Sequence, residues 1–228
     1  MTTATATPSS TSSTEHAHAA PSLGAIVVLF TRQTWAGLRV LLGFTVLLGI
    51  VYPLAVTGVG QLAFPWQANG SLLTSTGEHA TSATDKGVIG SALIGQTFDG
   101  AQWFHSRPSN AGKGYDTLAS AGSNLGPNNP DLLATVAERR KAVAAEEGVD
   151  PALVPPDALT ASASGLDPDI SPAYARLQVD RIAAERNLPA ADVATLVEAN
   201  TTSRPLGVLG DPQVNVLRLN LALETMGK

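Results

Sequence analysis

Apolar positions are spread very unevenly along this chain. From Val40 to Phe64, twenty-five consecutive residues carry no charge. At about 1.5 Å per residue, such a helix crosses a hydrocarbon core of about 30 Å with some tilt to spare. Arg32 and Arg39 lie just before the run, and the next basic residue is Lys86. This asymmetry predicts a cytoplasmic N-terminus and a chain that lies outside the cell membrane after Phe64. A cleaved signal would have an apolar region of about 7–15 residues ending at a small-residue site. This run is longer, starts far from the N-terminus and ends in Leu62-Ala63-Phe64-Pro65, so a retained single-pass anchor is expected. Leu23–Thr31 is apolar but too short to span, and is either an interfacial lead-in or an extension of the helix. The Thr-, Ser-, Ala- and Pro-rich residues 1–22 are expected to be disordered.

Past the apolar run the periodicity changes. Asn69–Thr84 reads as a Gly-, Ser- and Thr-rich linker. Val88–Phe98 and Ala101–Phe104 hold short apolar stretches that read as strands or as a strand and a turn. Ser106–Pro130 is long, polar and turn-rich, and ordered loops of that length are usually functional. A helix follows, with Asn129 as cap, Pro130 at the first position and Gly148 at the end. Leu132, Leu133, Val136 and Val143 would form its buried stripe, with Glu138, Arg139, Arg140 and Lys141 on the solvated side. After a second turn-rich segment, Asp150–Ser171, a helix capped by Ser171 has a core face of Ala175, Val179 and Ile182. Tyr174, Gln178 and Arg181 share a neighbouring face. A third helix runs from Pro189 to about Asn200. Val214–Leu221 alternates like a strand. The expected fold is one N-terminal transmembrane α-helix plus a mixed α/β extracytoplasmic domain with a small sheet and about three helices. The expected divisions are a tail and lead-in at 1–34, the membrane helix at 35–64, a linker at 65–86 and the domain at 87–228.

Charge and composition narrow the function. After Phe64 there are 12 basic and 18 acidic residues, a poor match for nucleic acid or anionic lipid. There is no Cys, hence no thiol nucleophile and no disulfide framework. Within the apolar run, Gly43, Gly49, Pro53, Gly58 and Gly60 suit close packing against partner helices, although Gly and Pro are common in membrane helices generally. Pro53 should bend the helix.

Several short motifs are decoys. Gly90-Ser-Ala-Leu-Ile-Gly95-Gln96-Thr97 approaches a P-loop, but Gln96 replaces the phosphate-binding Lys and ATP is scarce outside the membrane. Thr57-Gly58-Val59-Gly60 resembles part of a potassium filter, yet it ends an uninterrupted apolar helix. Asp85-Lys86-Gly87 lacks the rest of a phosphorylated-aspartate signature. The alternative function is a membrane-anchored exported hydrolase or binding protein; for the hydrolase, His105, Ser106, Ser109 and several Asp residues are present, but there is no Gly-x-Ser-x-Gly elbow. No His pair has metal spacing, so neither a catalytic nor a metal residue is assigned.

What remains is a polar constellation in the loops. It comprises Arg107, Ser109, Ser123, Asn124, Asp157, Thr160, Ser162, Ser164 and Asp167. Ser, Asn and Asp lock loops through local backbone bonds, and Arg107 and Arg181 could tie them through Asp157 or Asp167. Ordered structural loops and a docking face or ion-path rim both fit.

The order of these motifs resembles the C-subunit family of the Kdp potassium-transporting ATPases. The matching pieces are Gly90–Gln96, Trp103-Phe-His-x-Arg107-Pro-Ser109, Tyr115-Asp116, Ser123-Asn124-Leu-Gly126 and Asp157-x-x-Thr160-x-Ser162-x-Ser164-Gly165-Leu166-Asp167-Pro168-x-Ile170-Ser171. Gln178-x-x-Arg181 and Val214-Asn215-Val216-Leu217 complete the set. The resemblance implies a small accessory subunit that binds no cofactor alone. It implies a complex with a channel-like potassium-translocating subunit, a P-type ATPase subunit and a very small single-helix subunit, which together handle ATP, Mg and potassium. The family is described as a chaperone of ATP binding. The topology argues against direct contact with cytoplasmic ATP and favours a role at the extracytoplasmic mouth of the channel-like subunit.

Overall fold

The structure is a computed structural model that describes residues 22–226; the expected disorder of the first 21 residues lies outside them. The chain forms two compact units, one to Gly58 and one from Val59. In the first, Ser22 caps helix α1 (Leu23–Val46) by accepting the Ala25 amide. A π-helical turn at Leu47–Val51 follows, then α2 (Tyr52–Ala63). Leu23–Ala63 is thus one helical run of 41 residues, long and apolar enough to cross a membrane. Of the two expectations for Leu23–Thr31, the helix extension is observed, so the described part of the 1–34 lead-in is helical, not disordered. Just before Pro53, where a bend is expected, the helix carries this π turn. Proline lacks an amide hydrogen and its ring crowds the carbonyl four residues back. Just before it, the Tyr52 amide donates to Leu47 O, five residues earlier, a local widening typical of such sites.

The second unit contains the domain. The segment expected as a linker is structured: α3 (Pro65–Ala68) leads into β1 (Leu72–Thr74) and β2 (His79–Ala80). With β3 (Val88–Ser91) these form an antiparallel sheet in the order β2-β1-β3. Leu73 is buried with Ala92 and Leu217 beneath it. The Trp66 indole donates to Leu72 O at 2.7 Å and stacks on His79 at 3.9 Å. Of the two readings for Val88–Phe98 and Ala101–Phe104, the strand and turn is observed, with the strand at Val88–Ser91 and a turn from Ala101.

The helix after the long loop, α4 (Pro130–Glu147), has the expected ends. The Asn129 side chain accepts the Asp131 and Leu132 amides, and Gly148 closes it at φ 65°, a left-handed position that favours glycine. Its faces differ from expectation. Leu133 is 55% exposed, while the inward line passes through Val136, Val143, Ala144 and Glu147. Arg139 and Arg140 are half-buried and donate to the carbonyls of Leu159 and Pro151. Long side chains lying along apolar surface cover it while their heads reach polar partners.

The expected second helix is divided at Gln178 into α5 (Pro172–Leu177) and α6 (Val179–Arg186), with the Ser171 hydroxyl capping the first. Then comes α7 (Ala190–Ala199). A second antiparallel sheet, in the order β4-β6-β5, joins β4 (Asp169–Ile170), β5 (Thr201–Thr202) and β6 (Gln213–Asn215). Ile170 and Thr201 both pair with the buried Val214.

The C-terminal expectation is corrected. Only Gln213–Asn215 is strand; Val216–Met226 is helix α8. The Asn215 side chain accepts the Arg218 amide at 3.1 Å, the bond of an N-cap. Val216, Leu219, Asn220 and Leu223 then recur at helical spacing, and all are buried. The core gathers Phe104, Leu159, Ile170, Tyr174, Ile182, Val193, Val197 and this face of α8.

Asn220 should be worth more than its size. Asn220→Ala leaves the buried Phe104 amide and carbonyl unpaired, and each such group costs about 1–3 kcal/mol. Denaturant unfolding of the full chain in detergent should show a loss of about 2–6 kcal/mol; a loss within error of zero would mean that Phe104 finds other partners.

Candidate functional site

Between β3 and α4 the backbone runs for nearly forty residues with no regular element. Its polar groups need partners outside a ladder, and side chains supply them in two clusters.

The first surrounds Phe104 and His105. Phe104 is fully buried. Asn220 accepts its amide and donates to its carbonyl, both at 2.9 Å. Gln178, also fully buried, does the same for His105, accepting at 2.7 Å and donating at 3.3 Å. Arg181 adds a third grip, donating to the carbonyls of Ala101 and Trp103, to Gln178 Oε1 and to both oxygens of Glu147. The Arg181 and Glu147 side chains are 7% and 1% exposed, so this is a buried ion pair with its hydrogen bonds satisfied. Burial pushes the Glu147 carboxyl above the ordinary carboxylate range, with the Arg181 guanidinium opposing the rise.

The second cluster ties the Arg107–Ala121 stretch to Thr160–Asp169. Arg107 donates to Asp167 Oδ2 at 2.7 Å and twice to Thr160 O. The Ser109 hydroxyl donates to Gly165 O at 2.6 Å and accepts the Ala111 and Tyr115 amides. The Tyr115 hydroxyl returns to Arg107 O at 2.7 Å, and burial raises its pKa. The Ala121 amide donates to Ser164 O, and the Gly95 amide to Leu166 O. The Ser162 and Ser164 hydroxyls accept the amides of Gly165 and Leu166. Gly165 has φ +68°, and a Cβ there would lie 2.7 Å from both Ala111 N and Ala121 O, so only glycine fits between the strands of loop.

Asp157 is used differently from the expected Arg partnership. It braces the α5 cap, accepting the Ser171 amide at 2.7 Å and the Ser171 hydroxyl at 2.9 Å. Arg181 pairs with Glu147, leaving Arg107–Asp167 as the expected link that forms. Asn215 bridges Ala92 O and Asp169 Oδ1. Burial raises the Asp169 pKa, and the nearby Asp167 carboxylate adds to the rise against the Asn215 amide. Arg107, Asp157, Asp167 and Asp169 line one open cleft of about 520 Å³. Thr160 contributes through its carbonyl, and its hydroxyl bonds Pro156 O. Ser123 and Asn124 stand apart from these clusters on exposed loop, Asn124 at φ 54°. Among the described residues, nothing beyond the helix's own neighbouring backbone comes within 4 Å of a Cβ built on Gly43, Gly49 or Gly58; Gly60 meets only Ala68.

The decoys resolve on geometry. The His105 ring nitrogens face Gly100 O and Glu146, while the Ser106 and Ser109 hydroxyls donate to Gln96 O and Gly165 O. No Ser–His hydrogen bond exists among the described residues, which removes the basis of a hydrolase triad. In the P-loop lookalike Gly90 is strand, Gly95 is committed to Leu166 O, and no helix follows to receive phosphate. Asp85 accepts the Thr81 and Ser82 amides in a turn. Sequence reasoning missed Asn220, Glu147 and the Tyr115 hydroxyl. For Glu147 the signal was available, since it continues the inward line through Val136 and Val143.

An apolar helix long enough to cross a membrane is joined to a small α/β domain whose polar motif residues lock its loops. The match to known proteins gives the family. A profile described as K+-transporting ATPase, c chain (KdpC), covers residues 34–225, and the chain belongs to that family. A Mycobacterium tuberculosis protein named potassium-transporting ATPase KdpC subunit is 56% identical over 197 residues, covering 86% of this chain and 99% of that protein. Proteins of the same name from Kineococcus radiotolerans and Gemmatimonas aurantiaca are each 55% identical, covering 85% and 78% of this chain and 94% and 85% of their own.

Arg181→Met should leave Glu147 as a buried unpaired carboxylate and cost about 3–5 kcal/mol at neutral pH. The carboxyl's folded pKa is raised, so the folded state holds a proton that the unfolded state releases. The variant's stability should therefore rise as pH falls through the folded pKa. Unfolding curves at neutral and mildly acidic pH should show its deficit shrinking; a deficit independent of pH would exclude Glu147 as the cause.

Proposed function

We propose that the chain is a non-catalytic accessory subunit of an ATP-driven, high-affinity potassium-uptake complex in the cell membrane. Its partners are a channel-like potassium-translocating subunit, a P-type ATPase subunit and a very small single-helix subunit. The names of its relatives support membership of a potassium-transporting ATPase. ATP, Mg and potassium are handled by the complex and not by this chain alone. Arg32 and Arg39 before the span favour a cytoplasmic N-terminus and an extracytoplasmic domain, with Gly43, Gly49, Pro53, Gly58 and Gly60 packing against partner helices.

The observation that carries the reading is the loop face. Arg107, Ser109, Asp157, Asp167, Gln178, Arg181 and Asn215 spend their polar atoms on fixing the backbone. The product is an ordered surface that displays Leu118, 97% exposed, and Leu125. A preordered loop docks without a large ordering cost. We assign this face to the extracytoplasmic mouth of the channel-like subunit. An influence on ATP affinity from there acts at long range, through two states of the complex that both sites bias.

Deleting the chain should abolish growth at limiting potassium in cells that depend on the complex; unimpaired high-affinity uptake would rule the role out. Leu118→Asp should leave the chain folded yet weaken its co-purification with the larger subunits about tenfold, the usual scale for a buried apolar anchor. Unchanged co-purification would move the interface elsewhere. Protease shaving of intact cells should cleave after Phe64; protection there would reverse the orientation.

A further inference from the structure

Eight arginines follow Phe64, and seven of them donate to a carbonyl or carboxylate of the chain. Arg218 is the exception. Its backbone amide bonds the Asn215 side chain, but among the described residues its guanidinium has no hydrogen-bond or ion-pair partner. The side chain is exposed, and the guanidinium lies 5.4 Å from the centroid of the Trp66 ring. A planar fork of donors is therefore open to a group from outside the chain.

Trp66 sets the level at which that fork sits. It stands two residues past Phe64, where the apolar run ends, and two residues reach at most about 7 Å. The headgroup layer is about 5–7 Å deep on each side of the hydrocarbon core. The Trp66 ring is fixed by its stack on His79 and by its N–H bond to Leu72 O, so Arg218 is held at the same level. Trp and Arg are the side chains best suited to that layer. A cleft of about 590 Å³ opens beside them, and its lining includes Trp66, Gln67, Asp169, Asn200, Gln213 and Arg218. A guanidinium takes a phosphate through paired hydrogen bonds. Asp169 puts a carboxylate into the same cleft, with Asn215 donating to its Oδ1. A phosphate alone would meet that carboxylate as a like charge. A headgroup that carries an ammonium beside its phosphate meets each wall with the opposite charge.

We propose that this cleft is a lipid site, which takes the headgroup of a phospholipid from the leaflet where the span ends, its phosphate on Arg218 and a primary ammonium on Asp169. The bound lipid fastens the domain to the bilayer at the exit of the span. The proposal rests on the span ending at Phe64 and needs no partner subunit, so its failure leaves the proposed complex untouched.

The test is native mass spectrometry of the full-length chain, released from micelles that hold equal amounts of phosphatidylethanolamine and phosphatidylglycerol. One phosphatidylethanolamine should stay bound in preference to phosphatidylglycerol. Arg218→Gln keeps the bond to Asn215, which uses only the backbone, and should lower retention at least about tenfold, the scale of one hydrogen bond to a charged group. Arg218→Lys should restore part of it, as a point charge without the fork. Asp169→Asn should erase the preference for ethanolamine. Equal retention in the wild type and Arg218→Gln would mean annular lipid only and overturns the proposal. A wild-type chain that holds phosphatidylglycerol as well as phosphatidylethanolamine, or better, overturns it too. Glycerophosphoethanolamine, the headgroup without acyl chains, should leave the lipid in place at equal concentration; full displacement would assign the cleft to a soluble phosphate ester instead.

Discussion

A long irregular backbone buried against a core must find a partner for every amide and carbonyl. That constraint governs this domain. Between Ser91 and Pro130 no ladder exists to meet it, and an unpaired buried group costs as much as a lost hydrogen bond. Asn220, Gln178 and Arg181 close the account around Phe104 and His105; Arg107, Ser109 and Tyr115 close it for the outer loops. The small sheets and short helices then serve as a frame that carries these side chains to their carbonyls. It follows that Arg107, Ser109, Asp167, Gln178 and Arg181 act as internal fasteners of this backbone.

The anchor obeys the complementary constraint. In lipid each backbone group must be satisfied within the helix, and Pro53 breaks that rule at one point. The π turn at Leu47–Val51 accommodates it without leaving the helix. Small residues nearby, Gly43, Gly49 and Gly58, leave open surface.

Much of this was legible in the residues. Asn129-Pro130…Gly148 marked α4 at both ends because capping is local chemistry, and Ser171-Pro172 did the same for α5. The apolar run needed only counting. The readings that failed depended on distant partners. Leu72-Leu73 sits in a Ser- and Thr-rich stretch, and its strand exists because β3 and Trp66 pair with it from outside. Leu217-Arg218-Leu219-Asn220-Leu221 alternates like a strand, but Asn215 caps a helix there and Asn220 belongs to the core. The polar constellation was visible as a set of residues that lock loops. Its wiring was only half readable, because Arg181 chose Glu147 on α4, and sequence distance gives no hint of that pairing.

Hydrogen exchange of the full-length chain in nanodiscs tests the central claim, that side chains hold the loop face rigid. The amides of Phe104, His105, Ala111 and Tyr115 should exchange as slowly as those of the α7 core residues Val193 and Val197. Exchange at the rate of a solvated loop would contradict the account.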